Sequence, residues 1–192
     1  MKRSWILVAA IALGVGLTVR LSLDSSTTEQ PVEVNSLLET GSQKVDLYNT
    51  DDSRTRIVYF GYTHCPDVCP TSLAVLSSAL KELPEDKLNK VWPIFISLDP
   101  ERDTADKAQQ YAQYFHKNFT GFSGTEQQIK ELASSYGVLY TKTELKDSAL
   151  EYAVDHSSYF YFLKPDGSLI EKVAHTLNPA MLIDAIDRLP QS

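Results

Sequence analysis

Cys65 and Cys69 are the only cysteines in this chain of 192 residues, and they stand four positions apart in Tyr59-Phe60-Gly61-Tyr62-Thr63-His64-Cys65-Pro66-Asp67-Val68-Cys69-Pro70. An apolar, β-rich run (Ile57 to Phe60) precedes them and a helical pattern follows. Two thiols at i and i+4 on the first turn of a helix share one face. There they can clamp a soft metal ion, close a disulfide, or alternate between the two. Helical Cα atoms at that spacing lie about 6 Å apart, inside the disulfide range of roughly 4.4–6.8 Å. Two sulfurs about 2.3 Å from a common centre suit a metal equally well, with zinc–thiolate bonds as the guide. A disulfide would close a loop of only about five residues, where loop closure stabilises least, so the pair reads as chemistry rather than a staple. Pro66 fits the first helical position, which places Cys65 at the helix N-terminus and Cys69 one turn in. Unpaired N–H groups and the helix dipole there favour a thiolate, the form that both binds metal and attacks disulfides.

Two thiolates leave most metals short of a ligand. The histidines are His64, His116, His156 and His175. His64 adjoins Cys65 and is expected to point away from the face that holds both sulfurs. His116 ends a helix and His175 ends a strand, and both read as solvated surface residues. His156 follows an irregular stretch and opens the apolar strand Ser157 to Leu163, where a flexible segment can deliver a ligand; a packed or hydrogen-bonded strand-end histidine is the alternative. A Cys₂His set of soft donors suits copper, Cu(I) in particular.

The surrounding pattern supplies the frame. Ser36–Thr40 and Lys44–Tyr48 flank Gly41-Ser42 as a hairpin. Arg56–Tyr62 is a strand that ends at the cysteine loop. Leu73, Leu76, Leu80 and Leu83 share a helical stripe, so Thr71–Leu83 is a helix that stops before Pro84. Val91–Leu98 is a strand covered on both faces. A helix runs from the Asp99-Pro100-Glu101-Arg102-Asp103-Thr104 turn to about Lys117, capped by Asp103 or Thr104. Residues 121–124 are a loop, and Thr125 with Gln128 makes a capping box for a helix to Tyr136. Gly137–Thr141 is a short strand and Lys142–Ala153 an exposed, charged loop. Ser157–Leu163 and Ser168–Ala174 pair across Lys164-Pro165-Asp166-Gly167, and Asn178-Pro179 starts a last helix to Leu189. This order predicts an α/β, thioredoxin-like fold: a central mixed sheet flanked by helices, with an N-terminal hairpin. The cysteines fall at the carboxyl end of the first core strand, where open α/β sheets place their sites.

Lys2 and Arg3 precede an uncharged run, Ser4–Val19, that spans about 24 Å as a helix, extendable through Leu23 if Arg20 snorkels. With no Ala-x-Ala site near its end, residues 1–23 read as a single uncleaved membrane anchor rather than a cleaved signal. The basic flank keeps that end in the cytoplasm and exports the rest: a polar tether (24–35) and a globular domain (36–192). Net charge is −7, and beyond residue 20 the chain holds 15 basic against 25 acidic residues. Nucleic acid, which needs its phosphates neutralised, is excluded as a partner. Two cysteines are too few for a disulfide scaffold.

Four blocks, in order, resemble the SCO/SenC family: Gly61 to Pro70, Ile94 to Thr104, Val154-Asp155-His156-Ser157-Ser158 and Lys164-Pro165-Asp166-Gly167. The resemblance spans roughly Val58 to Leu189, and the Cys-Pro-x-x-Cys block with a distant Asp-His pair is its most specific part. It implies a membrane-tethered thioredoxin-like domain outside the cytoplasm, in the bacterial periplasm or an organellar intermembrane space. It implies that Cys65, Cys69 and His156 hold one copper ion, as Cu(I) or Cu(II), received from an upstream donor that the chain does not identify. The implied role is assembly of the dinuclear copper site of cytochrome c oxidase subunit II, by delivering copper, by keeping that subunit's cysteines reduced, or both. A thiol–disulfide oxidoreductase without metal delivery is the alternative, although the usual redox motif has two intervening residues and this one three. A peroxidase needs activating groups that nothing beyond Cys65 suggests. Ser36 to Arg54 departs from the family pattern by lacking its glycine–lysine approach to the first core strand. Asp99, Arg102 and Asp103 fit a structural strand-to-helix turn rather than catalysis, and Tyr159 to Phe162 fit a packed strand.

Overall fold

The computed structural model describes residues 35–146 and 148–189; the expected anchor (1–23) and all of the tether but Asn35 lie outside the described residues. Among the described residues, no helix is long and apolar enough to cross a membrane.

The hairpin forms as β1 (Leu37–Thr40) and β2 (Gln43–Asp46), and a bridge from Glu39 to Ser123 ties it to the domain. The core is a five-stranded sheet of order β5-β4-β3-β8-β9. Its parallel half is β3 (Thr55–Gly61), β4 (Val91–Ser97) and β5 (Thr120–Phe122); its antiparallel half is β8 (Tyr159–Leu163) and β9 (Leu169–Ala174). Ile57 to Phe60 and Ile94 to Ile96 are wholly buried, which explains why these strands read as continuous apolar runs rather than alternating ones. Helix α1 (Val68–Glu82) connects β3 to β4 and helix α3 (Ala105–Phe115) connects β4 to β5. Both crossovers step the same way across the sheet, so the right-handed rule places them on one face. Phe95 stacks with Tyr111 of α3 on that face, while Phe60 and Tyr161 meet Tyr136, just past α4 (Glu126–Ser135), on the other. Helix α5 (Pro179–Asp187) packs against α1. The mixed sheet, flanked on both faces, is the expected thioredoxin-like arrangement.

Several elements differ from the sequence reading. The cysteine helix begins at Val68 with Asp67 as its cap, three residues before Thr71 and two after Pro66. Pro70 then occupies the first turn, where a missing N–H leaves no bond unmade. Cys65 lies ahead of the helix, in a turn closed by its N–H to the Tyr62 carbonyl at 3.3 Å. A one-turn helix α2 (Glu85–Leu88) follows Pro84, and the supposed loop at Gly121–Phe122 belongs to the three-residue edge strand β5. Thr104, not Asp103, caps α3. The largest change concerns 142–153: its two ends, 142–144 and 152–153, are strand, in a hairpin of β6 (Tyr140–Glu144) and β7 (Tyr152–His156), in register Tyr140↔His156 to Glu144↔Tyr152. Four of the five β6 residues are exposed, so no apolar alternation marked it as a strand. His156 therefore ends β7 instead of opening β8. Among the described residues this hairpin is a separate two-stranded sheet with no ladder to the central one.

Candidate metal centre

β3 and α1 set the sulfurs, and the β6–β7 hairpin brings the imidazole. Cys69 is completely buried and Cys65 half-buried, and neither is in a disulfide. The His156 Nε2 lies 3.3 Å from the Cys69 Sγ. The other ring nitrogen, Nδ1, sits 3.2 Å from the Ser157 carbonyl, which can only accept, so Nδ1–H donates there and the ring is held with Nε2 toward the sulfurs. Cys65 Sγ receives hydrogen bonds from the Cys69 thiol and the His156 ring. The three side chains predicted from the sequence therefore converge on one another.

Cys65 also takes over the work of a helix cap. Asp67 makes no side-chain cap bond, and the unpaired Cys69 N–H donates instead to Cys65 Sγ at 3.3 Å. The Cys69 thiol, the His156 ring and the main-chain N–H groups of Asp67 and Cys69 together hold the Cys65 thiol down to about 4, against the opposing effect of its burial. Cys69, donor to that sulfur and buried as well, is pushed up. One sulfur is thus a ready thiolate and its neighbour a buried thiol.

The packing around the sulfurs is tight. A Cβ on Gly61 would fall 2.9 Å from Cys69 Sγ, 3.1 Å from Tyr59 and 3.2 Å from Phe95, so only glycine lets the sulfur lie over the strand end. Tyr59 and Tyr62 set their rings edge-on to His156, with centroids 6.2 and 6.3 Å away. The Tyr59 hydroxyl is buried without a well-formed hydrogen bond among the described residues. Asp103, wholly buried, accepts from Thr63 N (2.8 Å), Thr63 Oγ1 (2.5 Å) and Ser97 Oγ (2.6 Å), and so pins the cysteine loop to the end of β4.

The remaining histidines stay off the sulfurs. His64 Nδ1 is 3.1 Å from Thr63 Oγ1 and 3.5 Å from Asp103 Oδ1. His116 Nδ1 accepts from Asn118 N at 3.1 Å, and burial lowers its pKa. His175 is half-buried rather than freely solvated: its Nδ1 sits 2.7 Å from the buried Ser72 Oγ, one turn along α1 from Cys69. Sequence reasoning passed over Tyr59, Gly61, Tyr62 and Ser72. Gly61 carried the one usable signal, a glycine closing an otherwise bulky apolar strand just before the thiols.

The donor set fits a soft monovalent or small divalent cation. The side chains meet through hydrogen bonds, and among the described residues no three His, Cys, Asp or Glu side chains stand in the open spacing of a preformed metal cluster. Sulfur and nitrogen ligands at about 2.3 and 2.0 Å from one ion stand roughly 3.5–3.8 Å apart. A sulfur–nitrogen contact of 3.3 Å needs to open by only a few tenths of an ångström to reach that spacing.

Known proteins bear on this geometry. A protein of Arabidopsis thaliana, ScoI, solved with copper bound, is 36% identical, with a TM-score of 0.68 over 76% of this chain and 88% of that one. The apo Sco1 protein of Thermus thermophilus is 33% identical, with a TM-score of 0.71 over 83% and 92%. A SCO2-like protein of Rickettsia conorii is 32% identical over 179 residues, covering 86% of each chain. The SCO1/SenC profile matches residues 34–191, and the chain belongs to that family.

Proposed function

We propose that Cys65, Cys69 and His156 bind one copper ion and that the protein is a copper-binding assembly factor for cytochrome c oxidase, serving the dinuclear copper site of subunit II from outside the cytoplasm. The observation that carries this reading is the Nε2 of His156 against the Cys69 sulfur, delivered from a separate hairpin 87 positions along the chain. The copper-bound Arabidopsis relative supports the choice of metal. Each sulfur has its own part. Buried Cys69 holds the ion, and half-buried Cys65 is the sulfur that a partner's thiol meets when copper moves on. In the test, reduced protein competes with a moderate-affinity Cu(I) chelator, and the Cu(II) form is read by its thiolate charge-transfer band. Cys65→Ser and Cys69→Ser abolish binding at one equivalent, and His156→Ala weakens it and shifts the band. Wild-type protein that loses all Cu(I) to the chelator, or His156→Ala that binds as wild type does, would overturn the reading.

The free thiols and the depressed Cys65 pKa favour a second activity of the same pair. Cys65 thiolate attacks a disulfide in the target, forming a mixed disulfide and releasing the target's first sulfur as a thiolate; Cys69 gives its proton to that thiolate, attacks the Cys65 sulfur and displaces the target's second sulfur. The target gains two electrons from the pair, one proton from Cys69 and one from water as Cys65 and Cys69 close their own disulfide. Stoichiometric reduction of an oxidised subunit II peptide in metal-free buffer is expected. No reduction eliminates this activity and leaves copper delivery standing.

A further inference from the structure

The Asp99-to-Thr104 turn, read from sequence as structural, contacts the hairpin that carries His156. The hairpin has no ladder to the central sheet, so something else must fix its tilt. At its base, Ser157 N donates to the Leu139 carbonyl at 2.9 Å. At its far end, Arg102 Nη1 donates to the Leu150 and Tyr152 carbonyls at 2.8 and 3.1 Å, and its guanidinium lies 3.6 Å from the Tyr152 ring centre. Asp99, wholly buried, accepts from Arg102 Nε at 2.5 Å with one oxygen and from the Tyr152 hydroxyl at 2.6 Å with the other. Lys142 of β6 pairs with Glu101 at 2.8 Å. Tyr62 stands between this cluster and the metal centre, 5.9 Å from the Arg102 guanidinium on one side and edge-on to His156 on the other.

We propose that Arg102, with Asp99 and Tyr152, is a latch that positions His156: it clamps the free end of the β6–β7 hairpin and so fixes the imidazole over the sulfurs. Resting on the reading of His156 as a copper ligand, the proposal assigns the latch control of the third ligand and hence of how readily copper leaves. Tyr152 and His156 are four residues apart on one strand, about 13 Å. Arg102 therefore acts through the strand and never touches the ion. Without the clamp the hairpin pivots on its base and the ring spends part of its time off the sulfurs.

The test compares wild type, Arg102→Ala, Tyr152→Phe, His156→Ala and Arg102→Ala/His156→Ala for Cu(I) affinity by chelator competition and for the Cu(II) band. Arg102→Ala is expected to weaken Cu(I) binding about 10-fold, as loss of a ligand's supporting contact does. In the His156→Ala background the same change costs less than about 2-fold, because the route through which the latch acts is gone. In metal-free protein, hydrogen exchange at β6–β7 amides accelerates in Arg102→Ala while that of β3 and β4 stays as in wild type, an effect that general destabilisation does not give. Tyr152→Phe, which keeps the ring under the guanidinium and removes one hydrogen bond, gives a smaller effect in the same direction. If Arg102→Ala fails to fold, Tyr152→Phe with and without His156→Ala decides. Equal losses with and without His156, or exchange raised throughout the sheet, overturn the latch. A wild type that binds no copper fails the proposed function, whereas equal binding by wild type and latch variants, with His156→Ala weakened, fails the latch alone.

Discussion

The two ends of β3 handle buried polarity in opposite ways. At the amino end Arg56 is fully buried, yet all three nitrogens of its guanidinium donate: Nε to Leu47 O at 3.1 Å, Nη1 to Asp52 O at 2.6 Å and to Arg54 O, and Nη2 to Asn49 O at 2.6 Å. Trp92 covers the charge, with its ring centre 5.4 Å from the guanidinium carbon. At the carboxyl end, one strand length away, the Tyr59 hydroxyl has no well-formed hydrogen bond among the described residues, and the sulfurs and imidazole bond chiefly to each other, to a few N–H groups and to the Ser157 carbonyl. A saturated polar group is a fastener, since any rearrangement breaks bonds without replacing them. An unsaturated cluster of soft donors can take up an ion or exchange a sulfur at small cost. The strand is thus anchored at one end so that chemistry can be left open at the other.

The largest expected effect tests the fastener. Arg56→Met removes four hydrogen bonds to main-chain carbonyls, of which Asn49 O keeps the Asp52 N–H; an acceptor left without a partner costs about 1–3 kcal/mol, less where it recovers water as the loop relaxes. A net loss of about 4 kcal/mol is expected, which at roughly 2–4 °C per kcal/mol for a domain of this size lowers Tm by about 8–16 °C. Copper affinity of the folded variant stays within about 2-fold, since Gly61 lies roughly 17 Å away along the strand, beyond ordinary coupling. Thermal unfolding and chelator competition on the same sample check both halves. A stable Arg56→Met, or one whose copper site fails first, breaks the division between the two ends.

Gly61→Ala approaches the comparison from the other end with a smaller cost. Its Cβ would enter within 2.9 Å of the Cys69 sulfur, and Tyr59 and Phe95, both fully buried, cannot retreat far. Overpacking of this kind costs about 1–3 kcal/mol. Copper affinity should fall about 10–100-fold, as for other contacts that orient ligands. Here function is expected to suffer more than stability, the reverse of Arg56. A Gly61→Ala protein with wild-type copper affinity and band would mean that the strand end does not hold the sulfur in place.

What the sequence disclosed follows the same division. The central strands, α3, the capping box at Thr125 and the turn at Gly167 were legible because burial or local turn chemistry writes itself into residue type. The convergence of Cys65, Cys69 and His156 was legible only as a donor inventory until the resemblance linked the blocks, since no periodicity relates positions 87 apart. The β6–β7 hairpin was missed because both its faces meet solvent over most of β6, which removes the alternation that marks a strand. Arg56 as a fastener and Arg102 as a contact on the hairpin were missed because their partners are chiefly main-chain carbonyls, which every residue carries. The start of α1 was misplaced by giving Pro66 the first helical position; the helix opens at Val68, and Pro70 is its third residue.

The smallest effect concerns the two sulfurs themselves. An ordinary thiol loses reactivity toward iodoacetamide about tenfold per unit below a pH of roughly 8.5, because only the thiolate attacks. Cys65, with its thiol held down to about 4, is expected to alkylate at a nearly constant rate from pH 8 to pH 5 and to slow only below that, while Cys69 stays unmodified as long as the protein is folded. The sign follows from the contacts, since groups that donate to the sulfur favour its charged form. Cys69 is the largest of those donors and His156 a lesser one, so Cys69→Ala should move the midpoint upward further than His156→Ala does. Mass-resolved alkylation of the metal-free variants across pH reads that order directly. The reverse order would make the imidazole, not the buried thiol, the main support of the reactive sulfur, and the open end of β3 would then be closed whenever the hairpin is seated.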